Sequence, residues 1–490
     1  MTDANGPGAV GSRLTADVVV IGSGPGGAVT ATLCAEAGKS VLLVEEGEDL
    51  PLESAPHFSR EEIIQKYRNA GINIGLGKAK LAYVEGRCVG GGSEINRGLY
   101  HRIPDYVLEG WRSRFDVADL SPEGLVAHFD ACEATARVEY LPGEAPLIST
   151  RLHDGAISLG WNSIEVPRLY AYADQRNDGA PGRKQSMSAT FVPRFRDAGG
   201  RLISSTLIKS VSRTNGKWTV RGSHTPAGQS ARAIELCATT VFVACGAVQT
   251  PVLLRRSGIK RNVGNSLRFH PMLKVVAEFD EEVNLPGELE PVHQIKEFDP
   301  RFSMGCSMSK RPALAMAMAA HPERISEVDR NWRRMAIYYV QSTGGVGTVR
   351  CLPGFRDPLV RVSLTPADLD ELADGLRRLA EVLFAAGAVK VYPSIPGYPI
   401  LRSPADIGTL PATLSPAQAN ATALHLFSSC PMGENEALCA ADSYGKVHGG
   451  DGLYIADSSL LCGPTVVNPQ GTVMAIAHRN ALKAISDGFR

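Results

Sequence analysis

The chain has 490 residues, 44% of them hydrophobic, and its 51 Lys plus Arg balance its 51 Asp plus Glu at an isoelectric point of about 7.2. The length predicts about three domain-sized units, or fewer if one is large, and the composition excludes a disordered or fibrous protein. Because there is no net positive field, nucleic acid is excluded as a partner and a neutral partner is favoured.

No apolar run approaches the roughly 18 residues that cross a bilayer, and residues 1–16 are polar and glycine-rich, without the apolar core of a signal peptide. These features predict a soluble, cytoplasmic protein without a membrane span. The ten cysteines form no Cys-x-x-Cys pair and no cluster at zinc spacing. We therefore predict no metal site and interpret most cysteines, Cys430 among them, as small buried hydrophobes.

The clearest local pattern lies near the start of the chain. An apolar run, a glycine-rich turn, a small-residue helix ended by a glycine, and a second apolar run follow one another over residues 18–21, 22–27, 28–38 and 41–44. Both apolar runs predict fully buried strands, so the segment is predicted to be a βαβ unit.

The glycines of this unit fit a dinucleotide fingerprint. Gly22 permits the tight turn, Gly24 lets the backbone approach a pyrophosphate, and Gly27 lets helix and strand pack closely. Glu45 ends the second strand about 20 residues after the first glycine and is placed to hold ribose hydroxyls. A carboxylate there disfavours the 2′-phosphate of NADP, whereas NAD and FAD both stay open on this motif.

Further elements follow along the chain. Residues 201–220 predict a β-meander with a turn at 214–216, and residues 240–244 predict another buried strand that resumes the nucleotide fold. The stretches 285–291 and 392–404 are rich in Pro and Gly and predict surface connections.

A capping box at residues 365–368 predicts a helix start, and the apolar stripe that follows predicts a helix packed into the core and ended by Gly387. The Ala-rich run 313–320, with Met316 and Met318, is open to two interpretations, ordinary core or the lining of an apolar substrate pocket.

Three further segments give the sequence a family resemblance. They are Arg-Cys-Val-Gly-Gly-Gly-Ser-Glu-Ile-Asn at 87–96, the stretch 242–258, and a C-terminal block with His425-Leu-Phe-Ser-Ser-Cys-Pro-Met-Gly, Leu-Tyr-Ile-Ala-Asp-Ser-Ser at 453–459 and Asn-Pro-Gln-Gly-Thr at 468–472. Together with the fingerprint, in this order, they resemble the glucose-methanol-choline (GMC) oxidoreductases. Within the family, the Gly-Gly-Gly-Ser and Val-Asn-Pro-Gln spellings are most similar to the choline-dehydrogenase-like bacterial branch and to long-chain or cyclic alcohol members.

The resemblance implies an α/β fold with a discontinuous Rossmann-type FAD-binding domain and an inserted α+β substrate domain. We expect the FAD-binding domain at 14–120, 190–272 and 425–490, and the substrate-binding domain at 121–189 and 273–424. The implied cofactor is FAD. The matching cofactor residues, fingerprint included, are Gly22, Gly24, Gly27, Glu45, Gly91, Ser93, Asn96, Gly246, Asp457, Ser458, Asn468, Pro469 and Thr472.

The resemblance also bears on how FAD is held. Some members attach FAD covalently through a histidine of the Gly-Gly-x-Ser block, and Ile95 stands at the matching position here. We therefore expect non-covalent FAD. His101 lies nearby but out of register. Glu94 is interpreted as pointing to solvent, with a place near the flavin as the alternative.

By the same resemblance, His425 is the active-site base and Asn468 its hydrogen-bond partner. A neutral imidazole can take a hydroxyl proton near pH 7, and an amide can donate to the alcohol oxygen without adding charge. The implied reaction oxidises an alcohol C–OH to a carbonyl by hydride transfer to flavin N5, with O₂ or a quinone-type molecule as final acceptor. An apolar or cyclic alcohol is the expected substrate, and the oligomeric state stays open.

Two other functions are compatible with the same scaffold. One is a non-redox, hydroxynitrile-lyase-like reaction in which the histidine only transfers protons, and the other is a flavin-bound protein without alcohol activity. Of the remaining histidines, His270, His448 and His478 are interpreted as structural.

Overall fold

A computed structural model of the protein describes residues 13–175, 181–285 and 291–489. The predicted surface connection at 285–291 and the polar, glycine-rich residues 1–16 therefore lie mostly outside the described residues. No helix in the described ranges is long and apolar enough to span a bilayer. The helices are α1 (Pro25–Glu36), α2 (Arg60–Lys66), α3 (Gly92–Ile95), α4 (Asp105–Phe115), α5 (Pro122–Ala136), α6 (Leu147–Ser158), α7 (Phe191–Asp197), α8 (Gly246–Arg256), α9 (Arg311–Ala317), α10 (Ile325–Asn331), α11 (Pro366–Ala385) and α12 (Gln470–Ser486).

In the described ranges the strands form five sheets. In chain order they are β1 (Arg13–Thr15), β2 (Val18–Ile21), β3 (Val41–Val44), β4 (Asn73–Gly75), β5 (Lys80–Tyr83), β6 (Val138–Glu139), β7 (Ser163–Glu165), β8 (Arg168–Gln175), β9 (Pro181–Lys184), β10 (Arg201–Ile203), β11 (Thr206–Thr214), β12 (Lys217–His224), β13 (Arg232–Ala238), β14 (Thr240–Val243), β15 (Leu267–Phe269), β16 (Met272–Phe279), β17 (His293–Ile295), β18 (Phe302–Ser307), β19 (Met335–Ser342), β20 (Val346–Arg350), β21 (Leu359–Ser363), β22 (Ala388–Pro393), β23 (Asn420–Ala423), β24 (Leu426–Phe427) and β25 (Leu453–Ile455).

The nucleotide-type core is a five-stranded parallel sheet of order β10-β3-β2-β14-β25. Its central strands are buried and, except for Thr240 at the start of β14, apolar, as expected for a parallel sheet covered on both faces. Helix α1 packs on this sheet and against α12, and a mixed sheet β1-β13-β12-β11, in which only β1 runs parallel to its neighbour, lies beside it. The sheet therefore gathers segments from the beginning, the middle and the end of the chain.

The second large unit is a sheet of order β4-β5-β23-β16-β19-β18-β17-β7, to which β22 adds by pairing with β16. Helix α11 packs on one of its faces, together with α6. A smaller sheet, β21-β20-β15-β24, ends at the strand next to His425. The fold is thus the mixed α/β architecture that the sequence predicts.

Several predicted elements are confirmed. The strands over 18–21 and 41–44 are present, and the turn at 214–216 joins β11 and β12. Helix α1 begins at Pro25, three residues before the predicted start. Thr365 and Asp368 form the reciprocal capping box of α11, and the apolar stripe of this helix is buried.

Two predictions about the chain are wrong. Residues 201–203 leave the predicted meander and pair with β3 of the parallel sheet instead. The stretch 392–404 is not a surface connection throughout, because Tyr392 and Leu401 are fully buried. Of the Ala-rich run, which was open to two interpretations, Met318 is ordinary core, packed in a small cluster under α9 and α10, and Met316 is 78% exposed.

The predicted domain boundaries stay a prediction. Strands β4 and β5 fall within 14–120, which we assigned to the FAD-binding domain, yet they are hydrogen-bonded into the large sheet through β23. On this pairing we propose that residues 73–83 belong structurally with the substrate-binding unit.

The packing of α11 gives a stability prediction. Leu379→Ala should lower the free energy of unfolding by about 2–5 kcal/mol, because it opens a cavity under a fully buried side chain. Arg378→Ala, on the exposed side of the same helix, is the matched control. The midpoint of urea unfolding measures both, and equal midpoints for the two variants would contradict the core role of α11.

Candidate functional site

Three glycines bring the backbone segments of the parallel sheet into contact. Gly22 has a φ of +104° and a Cβ there would lie 2.2 Å from the carbonyl oxygen of Ala244. At Gly26 a Cβ would lie 1.9 Å from the oxygen of Ala456, and at Gly27 it would lie 2.0 Å from that of Gly22. No side chain fits at these positions, so they are fixed by packing.

Gly24 differs from its neighbours. Its φ of −63° suits any residue, and a Cβ there would meet no atom within 4 Å. It is the N-cap of α1, which has no side-chain cap and no acidic residue in its first turn. The amide groups at this helix end are therefore free for an anionic ligand.

Glu45 closes the fingerprint turn from the end of β3. Its Oε2 accepts hydrogen bonds from the backbone N and the Oγ of Ser23, at 3.1 and 2.8 Å, and its Oε1 accepts one from the N of Gly47. Burial raises the pKa of the Glu45 carboxyl, against these hydrogen bonds. Ser23 Oγ in turn accepts from the N of Gly90 at 3.0 Å, which ties the fingerprint to the glycine-rich block.

The segment 90–96 lies against the fingerprint. A Cβ at Gly91 would be 3.0 Å from the Cα of Gly24. Ser93 Oγ donates to the carbonyl of Gly90 and accepts from the N of Met187, and Asn96 Nδ2 donates to Gln470 Oε1 at 2.5 Å. Asn96 thus links this block to the start of α12.

Glu94 does not point to solvent, contrary to the interpretation from sequence. Only 1% of it is exposed, its Oε1 lies 3.3 Å from the N of Ser188, and its Oε2 has no partner within the described residues. Lys184 Nζ donates to the carbonyls of Glu94 and Asn96 and covers the segment.

Asp457 holds the third side of the site. Its Oδ2 accepts from the N of Gly246 at 2.9 Å and from Thr250 Oγ1 at 2.5 Å, and its Oδ1 accepts from the N of Ser459. Burial raises the pKa of Asp457. The neighbouring Ser458 stays partly exposed, and its carbonyl accepts from the N of Ser428.

Helix α12 begins at the active-site end of the molecule, with Pro469 as its N-cap and no acidic residue in its first turn. Thr472, in that turn, is fully buried, and its Oγ1 has no partner among the described residues. An unpaired buried hydroxyl beside free amide groups is a feature that a bound polar ligand would complete.

These segments meet along one continuous line, through the contacts of Gly24 with Gly91, Gly26 with Asp457, and Asn96 with Gln470. Along this line lie the N-termini of α1 and α12, the open space at Gly24 and the unpaired hydroxyl of Thr472. These features fit a long ligand with a pyrophosphate. The predicted FAD residues therefore lie together and fit the group.

His425 lies immediately before β24 and forms hydrogen bonds through both ring nitrogens. Its Nε2 is 3.2 Å from Asn468 Nδ2, and its Nδ1 is 3.1 Å from His270 Nδ1. Because the amide nitrogen of Asn468 can only donate, His425 Nε2 is assigned as an acceptor and Nδ1 as the protonated nitrogen.

The surrounding amides support this assignment. Gln294 Nε2 donates to Tyr339 Oη at 3.0 Å and points to Asn468 Oδ1 at 3.5 Å, which fixes the oxygen side of the Asn468 amide. Gln294 Oε1 accepts from His101 Nε2 at 3.0 Å. The hydrogen bonds therefore all donate in the same direction, from His101 through Gln294 and Asn468 to the unprotonated Nε2 of His425.

The electrostatics keep His425 neutral. Burial, and then the positive charge of Lys296, lower the pKa of His425 to about 4. Burial also lowers the pKa of His101 to about 3 and holds that of His270 well below its usual range. Lys296 itself is paired with Asp299 at 3.6 Å.

The site contains residues that sequence reasoning missed. His270, interpreted as structural, contacts His425, while His448 and His478 are bonded elsewhere, to Gly433 and His128. Gln294 and Lys296 lie on or beside β17, and no motif marked them. Strand β17 has only three residues, too few to show a periodic pattern, so the sequence offered no signal for them.

Burial raises the pKa of the Cys430 thiol to about 12, so this residue packs and does not act as a thiolate. In the described ranges no group of three or more His, Cys, Asp or Glu is arranged to hold a metal ion.

Comparison with protein families places the chain among known sequences. Residues 17–272 and 346–477 match the N- and C-terminal models described as GMC oxidoreductase. An uncharacterised GMC-type oxidoreductase, y4nJ of Sinorhizobium fredii, is 36% identical over 485 residues, which cover 98% of this chain and 96% of the relative. The long-chain-alcohol oxidase FAO1 of Arabidopsis thaliana is 24% identical over 95% of this chain and 66% of its own length.

A solved structure agrees in fold. Pyridoxine 4-oxidase from Mesorbium loti superposes with a TM-score of 0.73 over 96% of this chain and 99% of its own, at 16% sequence identity.

The glycine geometry separates a cofactor role from a packing role. Gly24→Val should leave the fold intact but abolish FAD retention, because the new side chain fills the open space at the start of α1. Gly22→Ala should instead destabilise the protein with or without FAD, because its Cβ meets the Ala244 carbonyl. Flavin absorbance after gel filtration and the thermal midpoint of the flavin-free protein measure the two effects.

Gly110→Val, at an exposed glycine with open space around it, is the control and should change neither quantity. Full FAD content in Gly24→Val would show that the open space is not part of the cofactor site.

Proposed function

The chain belongs to the GMC oxidoreductase family, whose members are FAD-dependent oxidoreductases acting on CH–OH donors, and we propose that it oxidises an alcohol to a carbonyl with His425 as base. The observation that carries the proposal is the polarity of the network around His425. Because Asn468 donates to Nε2 of His425, this nitrogen is unprotonated and can accept a proton. The other ring nitrogen, Nδ1, carries the proton and donates it to His270.

The reaction needs a proton acceptor and a hydride acceptor at one C–O unit. An alcohol that enters between His425 and Asn468 donates its hydroxyl proton to Nε2 and accepts from Nδ2 of the amide. O₂ or a quinone-type molecule would be the final electron acceptor, and the hydride acceptor would be supplied by FAD. Gly22, Gly24, Gly27, Glu45, Gly91, Ser93, Asn96, Gly246, Asp457, Ser458, Asn468, Pro469 and Thr472 would hold it.

The neighbours of His425 set its charge, its tautomer and the position of the alcohol oxygen. Because its pKa is lowered, the ring is neutral and ready to accept a proton. His270 Nδ1 holds the Nδ1 proton, which fixes the ring tautomer while Nε2 reacts. Asn468 is itself oriented by Gln294, so the alcohol oxygen is met by a fixed donor.

We further propose that FAD is held without a covalent bond. Ile95 stands where some members have an attaching histidine, and the nearby His101 is engaged with Gln294. An alcohol with an apolar or cyclic skeleton remains the proposed substrate, supported by the similarity to the plant long-chain-alcohol oxidase FAO1. The Ala-rich run 313–320 no longer supports it. The choline-dehydrogenase-like branch also stays a prediction.

His425→Gln should keep FAD but lower the rate of flavin reduction by alcohol about 10²- to 10⁴-fold, the usual contribution of a positioned base. Anaerobic loss of the flavin band near 450 nm, followed by stopped flow with aliphatic, aromatic and cyclic alcohols, measures it. His448→Gln, whose ring bonds the Gly433 carbonyl, is the control and should reduce normally. Normal reduction in His425→Gln would refute the base.

The same titration separates the lyase alternative. If the native protein binds FAD and cleaves a hydroxynitrile while no alcohol bleaches the flavin, the non-redox function replaces the one proposed. Readmitting air after bleaching then distinguishes an O₂-using oxidase from an enzyme that needs another acceptor.

The lowered pKa of His425 predicts the pH profile. The base acts in its deprotonated form, so the rate of flavin reduction should stay level from about pH 7 down to about pH 5 and fall only below that. His270, His101 and Lys296 face the same site, and the histidines are likewise neutral over this range. A decline centred near pH 6.5 would contradict the burial of the base.

A further inference from the structure

The large sheet presents a row of polar side chains to the active site. Strands β16, β19, β18 and β17 pair so that four residues stand opposite one another, namely Lys274, Tyr339, Gly305 and Gln294. Paired residues share one face of a sheet, and the next residues along point to the other. Leu273 and Val340 accordingly pack in the core on the α11 side.

This row begins at the catalytic pair. Gln294 Nε2 lies within reach of both Asn468 Oδ1 and Tyr339 Oη, at 3.5 and 3.0 Å. Lys274 is the cross-strand partner of Tyr339. Two side chains therefore separate the amide beside His425 from the Lys274 ammonium.

Lys274 lies deep in the protein yet keeps some accessible surface. It makes no hydrogen bond and no ion pair with any described residue. Thr422, whose Oγ1 is buried without a partner, belongs to the same face, because it is paired with Met272 on β16.

Arg97 brings a second positive charge to the same place. Its Nη2 donates to the carbonyl of Cys306 at 2.7 Å, while its Nη1 is buried and has no partner in the described ranges. Burial, and then the charge of Arg97, lower the pKa of Lys274 to about 8, so the ammonium still predominates at pH 7. No carboxylate of the described residues offsets either charge.

Two other cations that are largely withdrawn from solvent are paired with carboxylates. Lys296, near the same site, is paired with Asp299, and Arg68 is paired with Glu46 and Glu85. Burying two cations side by side without an anion is costly, since both lose hydration and repel each other. The retention of Lys274 and Arg97 near His425 is explained if the ligand supplies the missing negative charge.

We propose that Arg97 and Lys274 bind an anionic group of the substrate, a carboxylate or a phosphate, while its hydroxyl lies between His425 and Asn468. The substrate class is thus an alcohol that carries an oxyanion beyond its reacting carbon. This inference rests on the proposed function and narrows it, because it concerns the same site.

The first experiment measures binding without turnover. Butanoate and butyl phosphate, which lack a hydroxyl group, are titrated calorimetrically into the FAD-loaded enzyme. Both the Lys274→Met and Arg97→Met variants should raise the dissociation constant at least about tenfold, the effect of losing a charge-assisted hydrogen bond. Lys274→Arg, which keeps the charge, should retain most of the binding. Lys483→Met, at an exposed lysine of α12, is the control.

The second experiment measures flavin reduction under anaerobic conditions with matched substrates. Aliphatic primary alcohols are compared with the hydroxycarboxylates and hydroxyalkyl phosphates of the same carbon number. The native enzyme should favour one anionic series at least about tenfold in kcat/KM, and Lys274→Met should lower that ratio at least about tenfold. Whichever series is favoured identifies the oxyanion.

The outcomes decide the two proposals separately. Neutral and anionic substrates that reduce the flavin equally well would overturn the anion site and leave the alcohol oxidation standing. If no alcohol reduces the flavin, the oxidation fails, and the calorimetric arm still decides the anion site. Loss of FAD from Arg97→Met would assign Arg97 to the cofactor and overturn the pair.

Discussion

The site depends on backbone contacts that leave no room for a side chain. Gly26 meets the carbonyl of Ala456 and Gly22 that of Ala244, so the beginning, middle and end of the chain converge on one sheet edge. This convergence sets where α1, α8 and α12 start, and with them the free amide groups, Asp457 and Asn468. A glycine replaced here would displace several segments together, because each contact fixes two chain pieces at once.

The second constraint is that the surroundings of the proposed base, His425, keep its ring uncharged. His425 is surrounded by groups that are neutral or positive, with His270 and Asn468 bonded to its two nitrogens and Lys296 nearby. Many catalytic histidines are oriented by a carboxylate that favours the charged ring. The partners here are another imidazole and an amide, so the network orients the ring and selects its tautomer without stabilising the imidazolium.

The sequence predicted the local and the family-bearing parts of this molecule well. The strands around the fingerprint and the capped helix α11 follow from short-range patterns, and the residues expected to hold FAD lie together. The face of the large sheet was not predictable in this way. Lys274, Tyr339 and Gln294 come from three separate strands, and only the pairing register brings them together. Overall charge balance likewise gave no sign of Lys274 and Arg97 lying near each other without a carboxylate partner, because net charge averages over the whole surface.

Strand β16 illustrates a division of labour at single-residue resolution. Met272 and Lys274 lie on the face that carries Tyr339, while Leu273 and Val275 belong to the hydrophobic core beneath. Further along the strand Val276, on the same face as Lys274, is packed in the cluster under α9 and α10. An exchange at position 274 thus changes one short stretch of this face without rebuilding the core, which is one physical reason why a single scaffold can diversify.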